Sequence, residues 1–361
     1  MLEYSVRRIL SSIPVLLGIL IVTFALARLI PGDPCTAMLG ERAARSGDTC
    51  ERFAEARGLN KPILVQFGLY MGRVLQGDFG DSIRFARPVS LILVERLPLT
   101  VELSLTALAI ALLIGIPAGI IAAVRHNSTS DVVAMVGSNI GVSMPVFWLG
   151  LMLAYVFALL LKDTPFVLPP SARLTAGLTA VPFYQVYGWQ VAADSTMERF
   201  LEFFANLYIF NSIITFDWAV LVDAVKHLIL PAVALSTIPA SIIARITRSS
   251  LLDVLGLEYI RAARAKGLPK RVVVLKHGLR NALLPVVTVV GLQMGGLLGG
   301  AVLTETVFGL AGVGRILFEA ITARDYPIIQ AFTFVIALGY VSVNLIVDIS
   351  YTYLDPRVRM S

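Results

Sequence analysis

The sequence predicts an all-α polytopic membrane protein with six membrane-spanning helices, and three observations predict it. Of the 361 residues, 57% are hydrophobic and 15% charged, and the mean hydropathy is +0.80; a water-soluble globule has no such balance. Long apolar runs recur along the chain, each able to cross a hydrocarbon core of about 30 Å. Between them lie polar stretches punctuated by proline and glycine, which stop helices.

Residues 9–30 form the first predicted span, preceded by Arg7 and Arg8. Its length and the lack of a small-residue cleavage site argue against a removed signal peptide. It ends at Pro31-Gly32-Asp33-Pro34. Residues 31–98 read as an extracytoplasmic segment despite their basic residues, because long loops cross a membrane largely regardless of charge. Both cysteines, Cys35 and Cys50, fall here. Paired, they close a loop of about 15 residues, worth roughly 3 kcal/mol in the chain-entropy model; otherwise they are two unrelated thiols.

The second span, residues 100–124, contains Gly115 and Pro117 and is followed by Arg125 and His126. The third, residues 132–161, contains Ser143-Met144-Pro145, where a kink is expected. Residues 162–226 form a second extracytoplasmic segment, rich in Pro, Tyr and Trp. Within it, Ser195 and Glu198 have capping-box spacing, and Phe200, Phe203, Phe204, Leu207 and Tyr208 follow at helical spacing. They predict an amphipathic helix resting on the membrane or on a partner. A span over residues 200–222 is disfavoured by Glu202, Asn206, Asn211 and Asp217.

The fourth span, residues 228–247, is expected to be broken by Pro231 and Pro239. The fifth, residues 282–304, carries Gly291, Gly295, Gly296, Gly299 and Gly300, whose small-xxx-small spacing lets another helix approach at backbone distance. Residues 305–326 turn back outside through Gly309, Gly312 and Gly314, and residues 327–349 form the sixth span. Six spans place both termini on one side. Nine Lys/Arg between Arg245 and Arg280, against Asp253 and Glu258, supply the whole positive excess of the chain. A short basic loop is an orientation signal, so residues 248–281, and with them both termini, are assigned to the cytoplasm. The same charge leaves no reason to infer nucleic-acid binding from a pI near 9.4.

Inside that loop, residues 258–267, EYIRAARAKG, read as a short helix with both ends marked. Glu258 suits the positive end of the dipole, Lys266 the negative end, and Gly267 the left-handed cap before Pro269. On a helical wheel Tyr259, Ala262, Ala263 and Lys266 form one low ridge, with Ile260, Arg261 and Arg264 mostly opposite. Such a helix is too short to persist alone, so it is either a packed connector or a docking element. Catalytic chemistry is missing from the sequence. No GxxxxGK[ST] loop, HExxH site or GxSxG turn occurs, and His126, His227 and His277 are far apart.

Several motifs carry a resemblance. Residues 259–267, YIRAARAKG, followed by residues 279–285, LRNALLP, closely resemble the cytoplasmic loop of binding-protein-dependent ABC importer permeases of the dipeptide/oligopeptide group. Pro31-Gly32-Asp33-Pro34, residues 77–82 (GDFGDS), residues 144–150 (MPVFWLG), residues 303–308 (LTETVF), Arg324-Asp325-Tyr326-Pro327 and Asp355-Pro356-Arg357 agree. The similarity covers nearly the whole chain and looks like the B-type subunit. It implies a type I importer permease fold in a bacterial or archaeal inner membrane. It further implies that Glu258, Tyr259, Arg261, Ala262, Ala263, Arg264, Ala265, Lys266 and Gly267 dock into separate ATPase subunits, which hold the ATP and Mg. A homologous second permease would complete the pore, and an extracytoplasmic binding protein would deliver peptide.

Two departures stand out. Arg261 occupies the place where the general family motif begins Glu-Ala-Ala, and the 162–226 insert is longer than the family leads one to expect. Nickel, glutathione or oligosaccharide are alternative cargoes. A self-sufficient carrier or channel and a mere scaffold are the readings of a different class.

Overall fold

The computed structural model describes residues 2–29, 51, 52, 55, 60–193 and 195–354. Cys35 and Cys50 lie outside the described residues. In chain order the elements are α1 (Leu2–Leu29), α2 (Ile63–Leu75), α3 (Val89–Val124), α4 (Thr129–Ser143) and α5 (Val146–Leu160). Then come the short α6 (Phe183–Val186), α7 (Thr196–Ala205) and α8 (Tyr208–Thr215), and the long α9 (Trp218–Leu255). The last are α10 (Glu258–Ala265), α11 (Lys270–Gly299), α12 (Val302–Val307), α13 (Val313–Ala323) and α14 (Tyr326–Leu354). Among the described residues the only extended pairing is one bridge, Asp81 with Pro88.

Five helices, α1, α3, α9, α11 and α14, are long and apolar enough to cross a membrane, and α4 with α5 makes a sixth crossing if the bent pair counts as one. The chain is a multi-pass membrane protein. Its α3 starts at Val89, 11 residues before the expected second span. Val89, Ile92 and Leu93 pack into an apolar cluster with Val313, Ile316, Ile328 and Phe332, so residues that read as outer loop continue the helix. The third span is no simple kink: α4 and α5 meet at 99°. Pro145 lacks an N–H and pushes Met144 out of the helical region, to ψ 124°. Pro231 and Pro239, expected to break the fourth span, lie inside a continuous 38-residue α9. At 1.5 Å per residue that helix is about 57 Å long, well beyond one hydrocarbon thickness.

The central seam is between α3 and α9. Gly115 lies over Ala240 and Ile243, and Gly119 over Ala244 and Thr247. A Cβ on Gly115 would stand 2.7 Å from the Ala240 carbonyl oxygen, and one on Gly119 2.5 Å from that of Ala244. In a membrane, where burial from water drives nothing, such backbone-distance packing holds helices together. The glycine row of α11 is split in its use. Gly291 lies against Val347 and Gly295 against Tyr340 of α14, while Gly296 has open space beside it and Gly299 only ordinary contact with Ile336.

The amphipathic stretch of the insert is also two short helices, α7 and α8, rather than one. Ser195 Oγ accepts the Glu198 amide at 3.0 Å and starts α7, but the chain breaks before Tyr208. The Asn206 carbonyl accepts from Arg173, and the Ile209 amide donates to Glu102 at 2.6 Å, so both groups leave the helical ladder.

Replacing Gly119 by Leu is expected to cost about 1–3 kcal/mol or more through overpacking against backbone and to lower the thermal midpoint of the solubilised protein. The same change at Gly137, which has nothing within 4 Å, should leave that midpoint in place.

Candidate functional site

The basic loop joins α9 to α11 and is built around α10. Leu257 is extended, the helix runs eight residues, and Lys266 ends it. Gly267 takes φ +76°; its amide donates to the Arg264 carbonyl at 2.9 Å and the Leu268 amide to that of Ala263 at 3.4 Å. These two bonds are a Schellman cap, which a side chain at Gly267 would strain. The inner face of α10 is Ile260 and Ala263, both buried against Val273, Val254 and Leu255. Ala263 therefore does not belong to the exposed ridge expected from the sequence: an apolar pair three residues apart shares a face, and the chain's own core takes it. Glu258, Arg261, Ala262, Arg264, Ala265, Lys266 and Gly267 remain exposed, and Tyr259 is 40% exposed.

Tyr259 also ties the helix to α11. Its Oη accepts from Asn281 Nδ2 at 2.7 Å and donates to the His277 carbonyl at 3.2 Å. Beneath the loop, Leu251 of α9 packs with Ala123, Val274 and Ala282, so the bases of α3, α9 and α11 meet under α10. At this end Asp131 of α4 receives both Arg248 Nε (2.6 Å) and Nη2 (2.8 Å), a bidentate pair that locks the bent pair to α9.

Polar clusters also mark the opposite end. Glu102 of α3 pairs with Arg173 at 3.1 Å, and the guanidinium lies 3.7 Å from the Tyr208 ring centroid. Glu305 is fully buried. Thr100 Oγ1 donates to it at 2.7 Å, the Arg315 amide donates at 2.9 Å, and the Val313 amide in turn donates to Thr100 Oγ1. Burial pushes the Glu305 carboxyl up, while Thr100 and the amides of Arg315 and Gly314 pull it back. The carboxylate thus caps α13 from outside its own helix. Asp325, also fully buried, accepts the Arg84 amide at 3.0 Å and the Ser82 hydroxyl, which brings residues 77–82 and Arg324-Asp325-Tyr326-Pro327 together. At the α4/α5 break lies a cavity of about 600 Å³ lined in part by Asn139, Ser143, Phe147 and Trp148.

Of the four carboxylate anchors, Glu102 and Asp131 carry no motif in the sequence, and Glu305 and Asp325 stand there only inside motifs, with no anchoring role assigned. The available signal was a carboxylate in or beside an apolar run, which needs a partner. Among the described residues no group of three His, Cys, Asp or Glu is placed to hold a metal ion.

Replacing Ile260 by Ala is expected to cost about 2–5 kcal/mol of local stability. Gly267→Ala should cost about 1–2 kcal/mol from the left-handed backbone. Faster hydrogen exchange of the 258–265 amides in both variants, larger in the first, is the measurement.

Residues 115–360 match the family described as "Binding-protein-dependent transport system inner membrane component", and residues 1–106 match its N-terminal membrane component. The chain is 44% identical to the dipeptide transport system permease protein DppB of Alkalihalophilus pseudofirmus, over 99% of this chain and all of that one. It is 41% identical to the Escherichia coli K12 dipeptide permease of the same name over 99% of both. The oligopeptide transport system permease protein AppB of Bacillus subtilis is 39% identical over 99% of this chain and all of the relative. With its spans, basic loop and both halves matched, the chain belongs to the binding-protein-dependent transport system inner membrane components, among the ABC permeases of the dipeptide and oligopeptide group.

Proposed function

We propose that the chain is the passive, membrane-spanning subunit of an ATP-driven importer that passes di- and oligopeptides inward from an extracytoplasmic binding protein. The peptide cargo rests on the names of its relatives. The single structural observation that carries the mechanism is α10: its inner face is buried among its own spans while its outer face is bare. A helix held from one side only is a handle.

On this reading the basic loop and both termini face the cytoplasm, and Glu258, Arg261, Ala262, Ala265 and Lys266 enter a cleft on a separate ATPase subunit. Ala262 and Ala265 permit close approach, and the surrounding charges set register. The partner subunits hold ATP and Mg and hydrolyse the nucleotide; a homologous second permease completes the passage. This chain's own residues transmit displacement: Ile260 and Ala263 hand it to Val254 and Leu255 of α9 and Val273 of α11. The aromatic segment around residues 200–210 serves as a seat for the binding protein.

Ala262→Trp tests the handle, because Ala262 is exposed and its change spares the loop core. Membrane insertion and assembly with the sister permease should persist, while co-purification of the ATPase subunits and uptake of labelled dipeptide should fall at least tenfold. Unchanged uptake would remove α10 from the drive. Ala263→Glu is a poorer test, since it buries a charge in the core of the loop.

A further inference from the structure

Helix α9 turns four faces to its surroundings, and three of them are occupied along their length. Ala240, Ala244 and Thr247 lie under Gly115 and Gly119 of α3. Ser241 meets Gly141 of α4, and Arg248 holds Asp131 of the same helix. Ile243 packs with Val286 of α11, with Ile246, Leu283 and Val289 around them. The fourth face is a stripe of about one residue per turn: Pro231, Ala234, Ile238, Ile242, Arg245 and Ser249. Pro231 and Ala234 are buried, Ile238 and Ile242 are half-buried, and Arg245 and Ser249 are exposed.

The buried part of the stripe is covered by α5. Val146, Leu153, Ala154 and Phe157 pack on the cluster that holds Leu230, Ala234 and Leu235, and Gly150 lies against Val307 and Phe308 at the end of α12. The 99° turn at Pro145 thus carries α5 from α4 across the outer part of the stripe to the chain beyond α11.

The open part has α11 for a wall. Helix α3 packs on one flank of both α9 and α11: Leu108 and Leu112 sit with Ile243 and Val286, and Leu103 and Ala107 share a cluster with Leu297. The faces of α9 and α11 turned away from α3 therefore open to the same side. On α11 that face is Pro285, Thr288, Leu292 and Gly296, all exposed, and distinct from Gly291 and Gly295, which meet α14. With α4 opposite, the result is a trough floored by α9. From Ile238 to Ser249 it runs about 17 Å, close to half of a hydrocarbon core of about 30 Å, roofed by α5 and open toward the basic loop.

Its lining sets it apart from a surface made for lipid. Large apolar side chains stand out from the convex side of the bundle, as at Leu113 and Ile114 of α3 and Ile346 of α14. In the trough Gly296 has nothing within 4 Å, Thr288 is small and polar, and Arg245 is a cation. Arg248, one turn nearer the basic loop, is neutralised by Asp131, whereas Arg245 makes no ion pair among the described residues. An unpaired guanidinium on a spanning helix needs water beside it, and low-dielectric walls concentrate its field on whatever enters.

Given the importer reading above, on which this rests, we propose that the trough is this chain's half of the peptide passage, shut at the far end by α5, and that Arg245 attracts the carboxylates of a passing peptide toward the inner mouth. The passage then favours anionic over cationic peptides. The competing occupants of the trough are a helix of the sister permease and lipid.

Two measurements on the full transport complex decide. Single cysteines replace Ile242, Leu292 or Gly296, the nucleotide-free complex in nanodiscs is treated with a charged methanethiosulfonate, and the peptide bearing each position is weighed. Modification at all three should be at least tenfold faster than at Leu113→Cys, on the convex side, or at Ala234→Cys, under α5. Rates as slow as at Leu113→Cys would mean that lipid or a sister helix fills the trough, and would overturn the passage. Arg245 is tested by uptake of labelled Ala-Asp and Ala-Lys delivered by the same binding protein, so that a changed ratio of initial rates belongs to this chain. The Ala-Asp to Ala-Lys ratio should fall at least threefold in Arg245→Gln, further in Arg245→Glu, and hold in Arg245→Lys. Equal loss of both peptides, as from a merely structural role, or an unchanged ratio would overturn the part given to Arg245. The thiol rates need no change at Arg245, so they stand if its variants fail to assemble. A wild-type complex that takes up neither peptide would instead sink the importer reading itself.

Discussion

The contact on which the other elements depend is the side-by-side run of α3 and α9. Gly115 and Gly119 of one helix are matched by Ala240 and Ala244 of the other, four residues apart in each, so two parallel helices touch backbone to backbone. Lipid tails are as apolar as leucine, and no release of water rewards this association; it persists through dispersion and shape alone. Because α3 and α9 are 36 and 38 residues long, the seam reaches past the hydrocarbon at both ends. Each end then serves as a platform. At one, Glu102 and Thr100 of α3 organise the insert and the α12/α13 turn. At the other, Leu251 supports the basic loop and Arg248 grips α4.

The carboxylates at these platforms act through specificity more than through net stability. Removing an ion pair from water costs nearly what its attraction returns, so Glu102–Arg173 and Asp131–Arg248 add little over apolar packing of the same shape. What they do is leave one arrangement satisfied. Glu102 has acceptors for Arg173 and for the Ile209 amide, and any slip of α8 along α3 would strand that charge. Glu305 imposes the same condition on α13: its oxygens meet the N-terminal amides of that helix only when Gly312 presses against the carboxylate, where a Cβ would collide. The glycine and the glutamate are one device, separated by six residues.

Much of the fold was legible because a membrane leaves few choices. Length and hydropathy pointed to an all-helical multi-pass chain, and Gly267 marked the end of α10 by the left-handed conformation that glycine adopts without strain. The failures share a cause. Residues 89–98 carry Glu95, Arg96 and Pro98 and so read as loop, yet Val89, Ile92 and Leu93 have an apolar surface to meet in α13 and α14. That surface is distant in sequence. Pro231 and Pro239 read as breaks and Pro145 as a kink, yet the first two lie within a continuous helix and the third sits at the 99° turn; proline's local chemistry is the same in all three, and the neighbouring packing decides the outcome. Ala263 lies between Tyr259 and Ile260 on the wheel, and the packing of Ile260 against Val273, Val254 and Leu255 draws it inward.

On the proposed reading α10 bears load, and its two sides give so short a helix the stiffness for it. An isolated eight-residue helix lacks the hydrogen bonds to repay nucleation, and a flexible loop would dissipate any displacement applied to it. Here the Schellman cap closes one end, Tyr259 bridges to Asn281 and His277, and Ile260 is sealed among residues of α9 and α11. A force on Ala262 or Ala265 therefore meets the packed bases of two spans with no soft joint between. On the proposed reading this stiffness is what lets a partner bias a two-state bundle. The partner must contact the two states differently, and only a handle that moves with the spans presents a different position in each.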